Sequence, residues 1–107
     1  MGDKFYEKLK IELVNRGTEG ELVMDGRLDT NTAKEAEKIF LQMSERFDKL
    51  TLNLEHLQYV SSAGLRALQT GFLAMCRKGG KFQIKGVTPP VMEVFQITGF
   101  AGMITFI

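Results

Sequence analysis

Ser61 and Ser62 stand side by side where an alternating apolar stretch gives way to helical spacing, in Tyr59-Val60-Ser61-Ser62-Ala63-Gly64-Leu65. One serine there is a good N-cap, because its hydroxyl accepts a backbone N–H at the start of a helix. Two exceed what a cap needs. While one hydroxyl bonds the backbone, the other is left at the mouth of the helix, and the small Ala63 and Gly64 keep access to it open. The positive end of a helix favours an anion, so the fold tolerates a phosphate added to that hydroxyl. Arg66 lies one turn into the same helix. A second polar segment, Gly26-Arg27-Leu28-Asp29-Thr30-Asn31-Thr32, sets a carboxylate where a helix start suits it electrostatically. Alone it reads as strand exit and helix cap; the two segments together can form one small polar surface.

Little else in the chain offers chemistry. Gly79-Gly80-Lys81 leads into a strand, whereas phosphate-binding glycine loops open a helix. One histidine, His56, and one cysteine, Cys76, have no metal spacing between them. His56 lies a few residues before the serine pair with no third member to complete a triad, and it is expected to be a loop residue. Cys76 is expected on the core side of a helix, as a small buried hydrophobe. No cofactor, metal centre or catalytic constellation is therefore expected, and the chain reads as non-enzymatic.

The elements that position these residues follow from changes in periodicity. Leu9, Ile11 and Leu13 alternate with charged residues as a half-buried strand. Arg16-Gly17-Thr18-Glu19-Gly20 is turn chemistry, its two glycines supplying positive φ, and Leu22-Val23-Met24 returns as the second arm of a hairpin. Asp25–Asp29 then leads out of the sheet. Thr32-x-x-Glu35 fits a capping box, and Ala33, Ala36, Phe40, Met43 and Phe47 form one apolar stripe. Leu50, Leu52 and Leu54 make the next strand. Leu65, Leu68, Phe72 and Met75 follow at helical spacing, stopped by Gly79-Gly80, with Arg77 and Lys78 against the negative end of that helix's dipole. Phe82 and Ile84 mark a fourth strand. Thr88 caps a third helix with Pro89 in its first turn, Val91, Val94 and Phe95 line its buried side, Gly99 ends it, and Met103–Ile107 forms a closing strand. Helices are predicted over 32–47, 63–78 and 89–98. The order ββαβαβα β implies an α/β domain with a mixed, mostly parallel sheet, an N-terminal hairpin and three helices packed on the sheet.

Composition narrows the function. The chain has 107 residues, enough for one domain spanning 1–107, and 44% hydrophobic with 25% charged residues matches a globular protein with a modest core. A net charge of +1 lacks the basic excess of a protein that lives on phosphate backbones, so no direct nucleic-acid partner is expected. The lone cysteine suits a reducing compartment. No apolar run approaches the ~20 residues that span a bilayer. The start, MGDKFYEKLK, has no signal-peptide core, and Tyr6 stands where a myristoylation motif wants Ser or Thr. A cytoplasmic protein without membrane insertion is expected.

The segment Asn53–Leu57, continuing through Tyr59-Val60-Ser61-Ser62-Ala63-Gly64-Leu65, resembles the strand, loop and phosphorylation-site helix of the STAS domain family, the bacterial anti-sigma factor antagonists. Gly26-Arg27-Leu28-Asp29 resembles the family's Gly-x-Leu-Asp exit before its first helix. Gly79-Gly80, Val87-Thr88-Pro89 and Ile97-Thr98-Gly99-Phe100 resemble its later landmarks, and all of them occur in the family's order from about Leu9 onward.

The resemblance implies a small α/β domain that binds an anti-sigma factor when unphosphorylated and so frees a sigma factor. The partner is often a serine-protein kinase that uses ATP to phosphorylate the antagonist and switch it off, and a phosphatase resets it. Anchoring the family's Asp-Ser-x-Gly-Leu motif on Gly64 and Leu65 puts the phosphoserine at Ser62. Ser61 then replaces the usual acid, which removes a charge and makes Ser61 a rival acceptor. Asp29 matches an aspartate beside that site. The expected partner-binding surface is Asp29, Thr30, Asn31, Ser61, Ser62, Ala63 and Arg66, on a monomer or weak dimer. Many members add a closing helix after the last strand; the sequence ends at Ile107, so either a minimal domain or a shortened chain is expected, with one flank of the sheet then expected to be open. Two other functions fit the same family: an unphosphorylated scaffold or subunit of a signalling or lipid-transport assembly, and a module binding a small molecule or nucleotide.

Overall fold

Five strands build one sheet. In a computed structural model, which describes residues 9–107, the elements run β1 (Leu9–Arg16), β2 (Glu19–Leu28), α1 (Ala33–Arg46), β3 (Lys49–Val60), α2 (Ser62–Arg77), β4 (Lys81–Lys85), α3 (Pro89–Thr98), a 3₁₀ turn (Phe100–Gly102) and β5 (Thr105–Phe106). The expectations for Met1–Lys8, including the missing signal core and Tyr6, lie outside the described residues. Strand order is β1-β2-β3-β4-β5; β1 pairs antiparallel with β2, and the other pairings are parallel. Each parallel step advances to the next strand in the same direction. Right-handed crossovers in such a series put every connecting helix on one face.

That face is the core. Register aligns Leu13 with Leu22, Leu22 with Leu52, Leu52 with Ile84 and Ile84 with Phe106, so their side chains project to one side. Phe40 of α1 and Leu68 and Met75 of α2 are fully buried against them. Phe95 of α3 stacks on Phe106 at 6.3 Å between ring centroids and meets Phe100 edge-on at 4.9 Å. Among the described residues no helix covers the other face, and its side chains are mostly polar, with Val14 and Val23 among them: Glu21 is bonded by Arg16 at 2.9 Å and by Asn53 at 3.1 Å, with Lys85 Nζ 3.4 Å away.

Several local expectations need correcting. Both β2 and β3 run on to the carboxyl edge of the sheet, where the sequence suggested strand exits. Buried residues on β3 fall at 50, 52, 54, 57 and 60, because two register shifts insert an extra residue each and break the alternation. His56 is accordingly an exposed strand residue opposite Asp25, not a loop residue. Gly17 takes a positive φ in the hairpin turn, whereas Gly20 already belongs to β2 and lies under the Phe47 ring.

Cys76 is exposed: it follows Met75, and one residue along a helix turns a side chain about 100° away from the buried stripe. Phe72 and Val94 are half-buried rather than central. Thr32 makes no capping box, since its hydroxyl is turned back to the Arg27 carbonyl at 2.9 Å. Thr88 likewise sends its hydroxyl to the Leu57 carbonyl rather than to its own helix. Lys78 serves a different helix from the expected one. Its ammonium donates to the carbonyls of Ser44 at 2.7 Å and Phe47 at 3.0 Å, closing the end of α1.

Candidate functional site

The end of β2 and the start of α2 are joined at one atom. The Leu28 carbonyl oxygen accepts the Ser61 N–H at 2.9 Å, and Gly64 lies so close that a Cβ there would stand 2.4 Å from the same oxygen. Any side chain at position 64 would push the helix off the strand. Glycine is what lets the serine pair reach the Gly26–Thr32 segment.

The two serines have different roles in this geometry. Ser61 is the N-cap of α2, in extended conformation, and its Oγ accepts the Gly64 N–H at 3.1 Å while its carbonyl takes the Leu65 N–H at 2.8 Å. Ser62 is the first helical residue and is exposed; among the described residues its hydroxyl has no hydrogen-bond partner. A free hydroxyl at the first position of a sixteen-residue helix is open to an incoming reagent, and an anion placed on it meets the positive end of the dipole.

Asp29 organises the facing loop. Its Oδ1 accepts the N–H of Asn31 at 3.0 Å and of Thr32 at 3.2 Å, so the Thr32 N–H that the capping box assigned to Glu35 goes to Asp29 instead. The Thr32 hydroxyl is the buried strut behind it, accepting the Asp29 N–H at 2.9 Å. Thr30 and Asn31 are exposed beside the half-buried Asp29, and Arg66 is exposed on the first turns of α2, with half-buried Ala63 between it and the serines. All seven residues expected at the partner surface thus belong to the carboxyl-edge loop after β2 or to the start of α2. No group of His, Cys, Asp and Glu able to hold a metal occurs among the described residues. No helix there is long and apolar enough to cross a membrane.

The STAS domain family model matches residues 10–107. The chain belongs to the STAS domain family. The STAS domain is 28% identical over 92 residues to the anti-sigma-B factor antagonist of Staphylococcus aureus, covering 85% of each chain. Its fold matches that of the anti-sigma factor antagonist SpoIIAA in its unphosphorylated form, with a TM-score of 0.79 at 16% identity over 92% of this chain and 88% of that one. It also matches the Bacillus cell fate determinant SpoIIAA in its phosphorylated form, with a TM-score of 0.72 at 15% identity over 92% and 91%.

Two residues of this STAS domain's edge were not among those expected at the partner surface. Arg27 and Tyr59 pair across β2 and β3, with the guanidinium carbon 4.3 Å from the ring centroid and Nε 3.7 Å from Asp29 Oδ2. The available signal was the lost alternation after Leu54, which marks bulges, and bulges often re-aim side chains beside functional sites.

Proposed function

We propose that this STAS domain is an anti-sigma factor antagonist controlled by phosphorylation of Ser62. Unmodified, it binds an anti-sigma factor through Asp29, Thr30, Asn31, Ser61, Ser62, Ala63 and Arg66, and the sigma factor is released. The partner's kinase activity transfers the terminal phosphoryl group of ATP to Ser62 Oγ; the hydroxyl proton leaves and ADP is the other product. A phosphatase restores the free serine. The domain acts in the cytoplasm by binding, and it catalyses no reaction itself.

The observation that carries this reading is the division of labour between the serines. Ser61 Oγ is occupied as the cap, and the Ser62 hydroxyl is free and exposed. Serine caps a helix about as well as aspartate does. Ser61 therefore keeps the geometry of the acid it replaces while lacking the charge.

Phosphorylation of Ser62 adds about 1.5–2 negative charges. In the free domain these face the α2 N-terminus, which favours them by about 0.3–1 kcal/mol, so the fold persists. At an interface the same group must shed water and meet any acid opposite. A penalty of about 3 kcal/mol lowers affinity roughly a hundredfold.

The test is calorimetric titration with the purified anti-sigma factor from the same genome. Wild type and Ser62→Ala should bind, and phosphorylated wild type should bind about a hundredfold more weakly. Failure of the unphosphorylated protein to bind would overturn the reading.

A further inference from the structure

The bulges in β3 do more than end a regular rhythm. Register passes from Gly26↔Leu57 to Arg27↔Tyr59, so Gln58 is the extra residue and Tyr59 takes the place opposite Arg27. Leu28 and Val60, the next pair, are buried on the helical side. Arg27 and Tyr59 therefore project from the open face of the sheet, one residue from the carbonyl that holds Ser61. Both are exposed: Tyr59 to 41%, and the Arg27 side chain to 51%.

The guanidinium is held without being used up. The ring supports one of its faces, and Asp29 Oδ2 stands nearest Nε. Among the described residues its two terminal nitrogens have no acceptor. Such a fork matches a carboxylate through two parallel hydrogen bonds. Stacking on Tyr59 fixes the plane beforehand, so little side-chain freedom is lost when a ligand arrives. An exposed arginine–tyrosine pair adds little to folding, whereas Tyr and Arg are enriched among the residues that dominate binding at interfaces.

We propose that Arg27 and Tyr59 form an anchor for the same anti-sigma factor, receiving a carboxylate side chain that the partner reaches over the sheet edge. The inference rests on the function proposed above and extends the contact from the Ser62 tip onto the open face. The guanidinium takes the carboxylate, and the exposed ring forms the apolar wall that keeps water from it. Asp29 orients Arg27 through Oδ2 while its Oδ1 holds the loop.

The test uses the unphosphorylated wild-type protein with no ATP present as the parent, so that phosphorylation plays no part, and the purified anti-sigma factor from the same genome as the probe. Adding Arg27→Ala should weaken binding by about tenfold or more and reduce its dependence on salt. Arg27→Lys should restore little, because a point charge lacks the fork. Tyr59→Ala should weaken binding and Tyr59→Phe should keep it, since the ring and not the hydroxyl supports the arginine. Thermal melts of all variants should stay close to the parent. Full binding by both Arg27→Ala and Tyr59→Ala overturns the anchor and leaves the proposed function standing. A parent that does not bind refutes the function itself and the anchor with it.

Discussion

Replacing Gly64 by alanine sets two known effects against each other. Alanine is the better helix former, and the exchange inside α2 should by that measure gain about 1 kcal/mol. Against it stands the contact with β2: the new Cβ would lie 2.4 Å from the Leu28 carbonyl oxygen and 2.8 Å from Leu28 Cγ, where ordinary contact begins near 3.4 Å. Relief requires the start of α2 to move off the strand end by about 1 Å. The Ser61 N–H to Leu28 carbonyl bond, 2.9 Å long, then stretches beyond useful hydrogen bonding. Leaving those groups unpaired costs about 1–3 kcal/mol, and overpacking a further 1–3. The clash outweighs the propensity, and a net loss of about 1–5 kcal/mol is expected. Urea unfolding followed by circular dichroism reads it directly. Gly71→Ala is the control, because its Cβ would meet the Phe40 side chain at 3.1 Å rather than a backbone oxygen, and it should cost clearly less. A Gly64→Ala protein as stable as wild type, or more stable, would refute the claim that this close approach sets the site.

Phe40→Ala should cost about 3–5 kcal/mol, because the ring is fully buried between α1 and α2. Phe72→Ala should cost clearly less in the same unfolding assay, since that ring is half-buried at the edge of Phe82, 6.0 Å between centroids. Lys78→Met should lose about 1–2 kcal/mol with the two bonds to the end of α1, while Arg77→Met should change the melting curve little. For Glu21, burial pushes the carboxyl pKa up, but bonds from Arg16 and Asn53 and the charge of Lys85 outweigh it and hold the value below 4.5. Its ionised form thus stabilises the fold above the ordinary glutamate range, and that contribution fades as pH falls through the lowered value. Glu21→Gln should be less stable than wild type at pH 7, with the gap closing in acid; a gap that widens in acid would contradict this sign.

The sequence was most legible where side chains meet only the solvent or the core. Leu9, Ile11 and Leu13, the Phe40 stripe and the span of α3 from Pro89 to Thr98 all follow from periodicity, and the register of the sheet carries them to one face. Legibility failed where a polar group chose among distant partners. The Thr32 and Thr88 hydroxyls go to strand carbonyls of Arg27 and Leu57, which no local spacing reveals. Lys78 reaches α1 rather than its own helix for the same reason. The bulges in β3 hid the strand from Glu55 to Val60, and with it the position of His56 and the pairing of Tyr59 with Arg27. At the candidate site, the serine pair and Asp29 were visible as residue types at a strand–helix junction. Which serine would be engaged was not, because that depends on the fit of Gly64 against Leu28.

The assignment of Ser62 as the switch is tested most directly by incubation with the anti-sigma kinase and ATP, read by intact mass and site mapping on wild type, Ser61→Ala and Ser62→Ala. One phosphate should appear on wild type, at Ser62. Ser61→Ala should still accept it, although losing the cap lowers its stability by about 1 kcal/mol. Ser62→Ala should accept none and stay bound to the partner. Phosphate on Ser62→Ala with release from the partner, together with none on Ser61→Ala, would contradict the account: the modified hydroxyl would then be the one that caps α2.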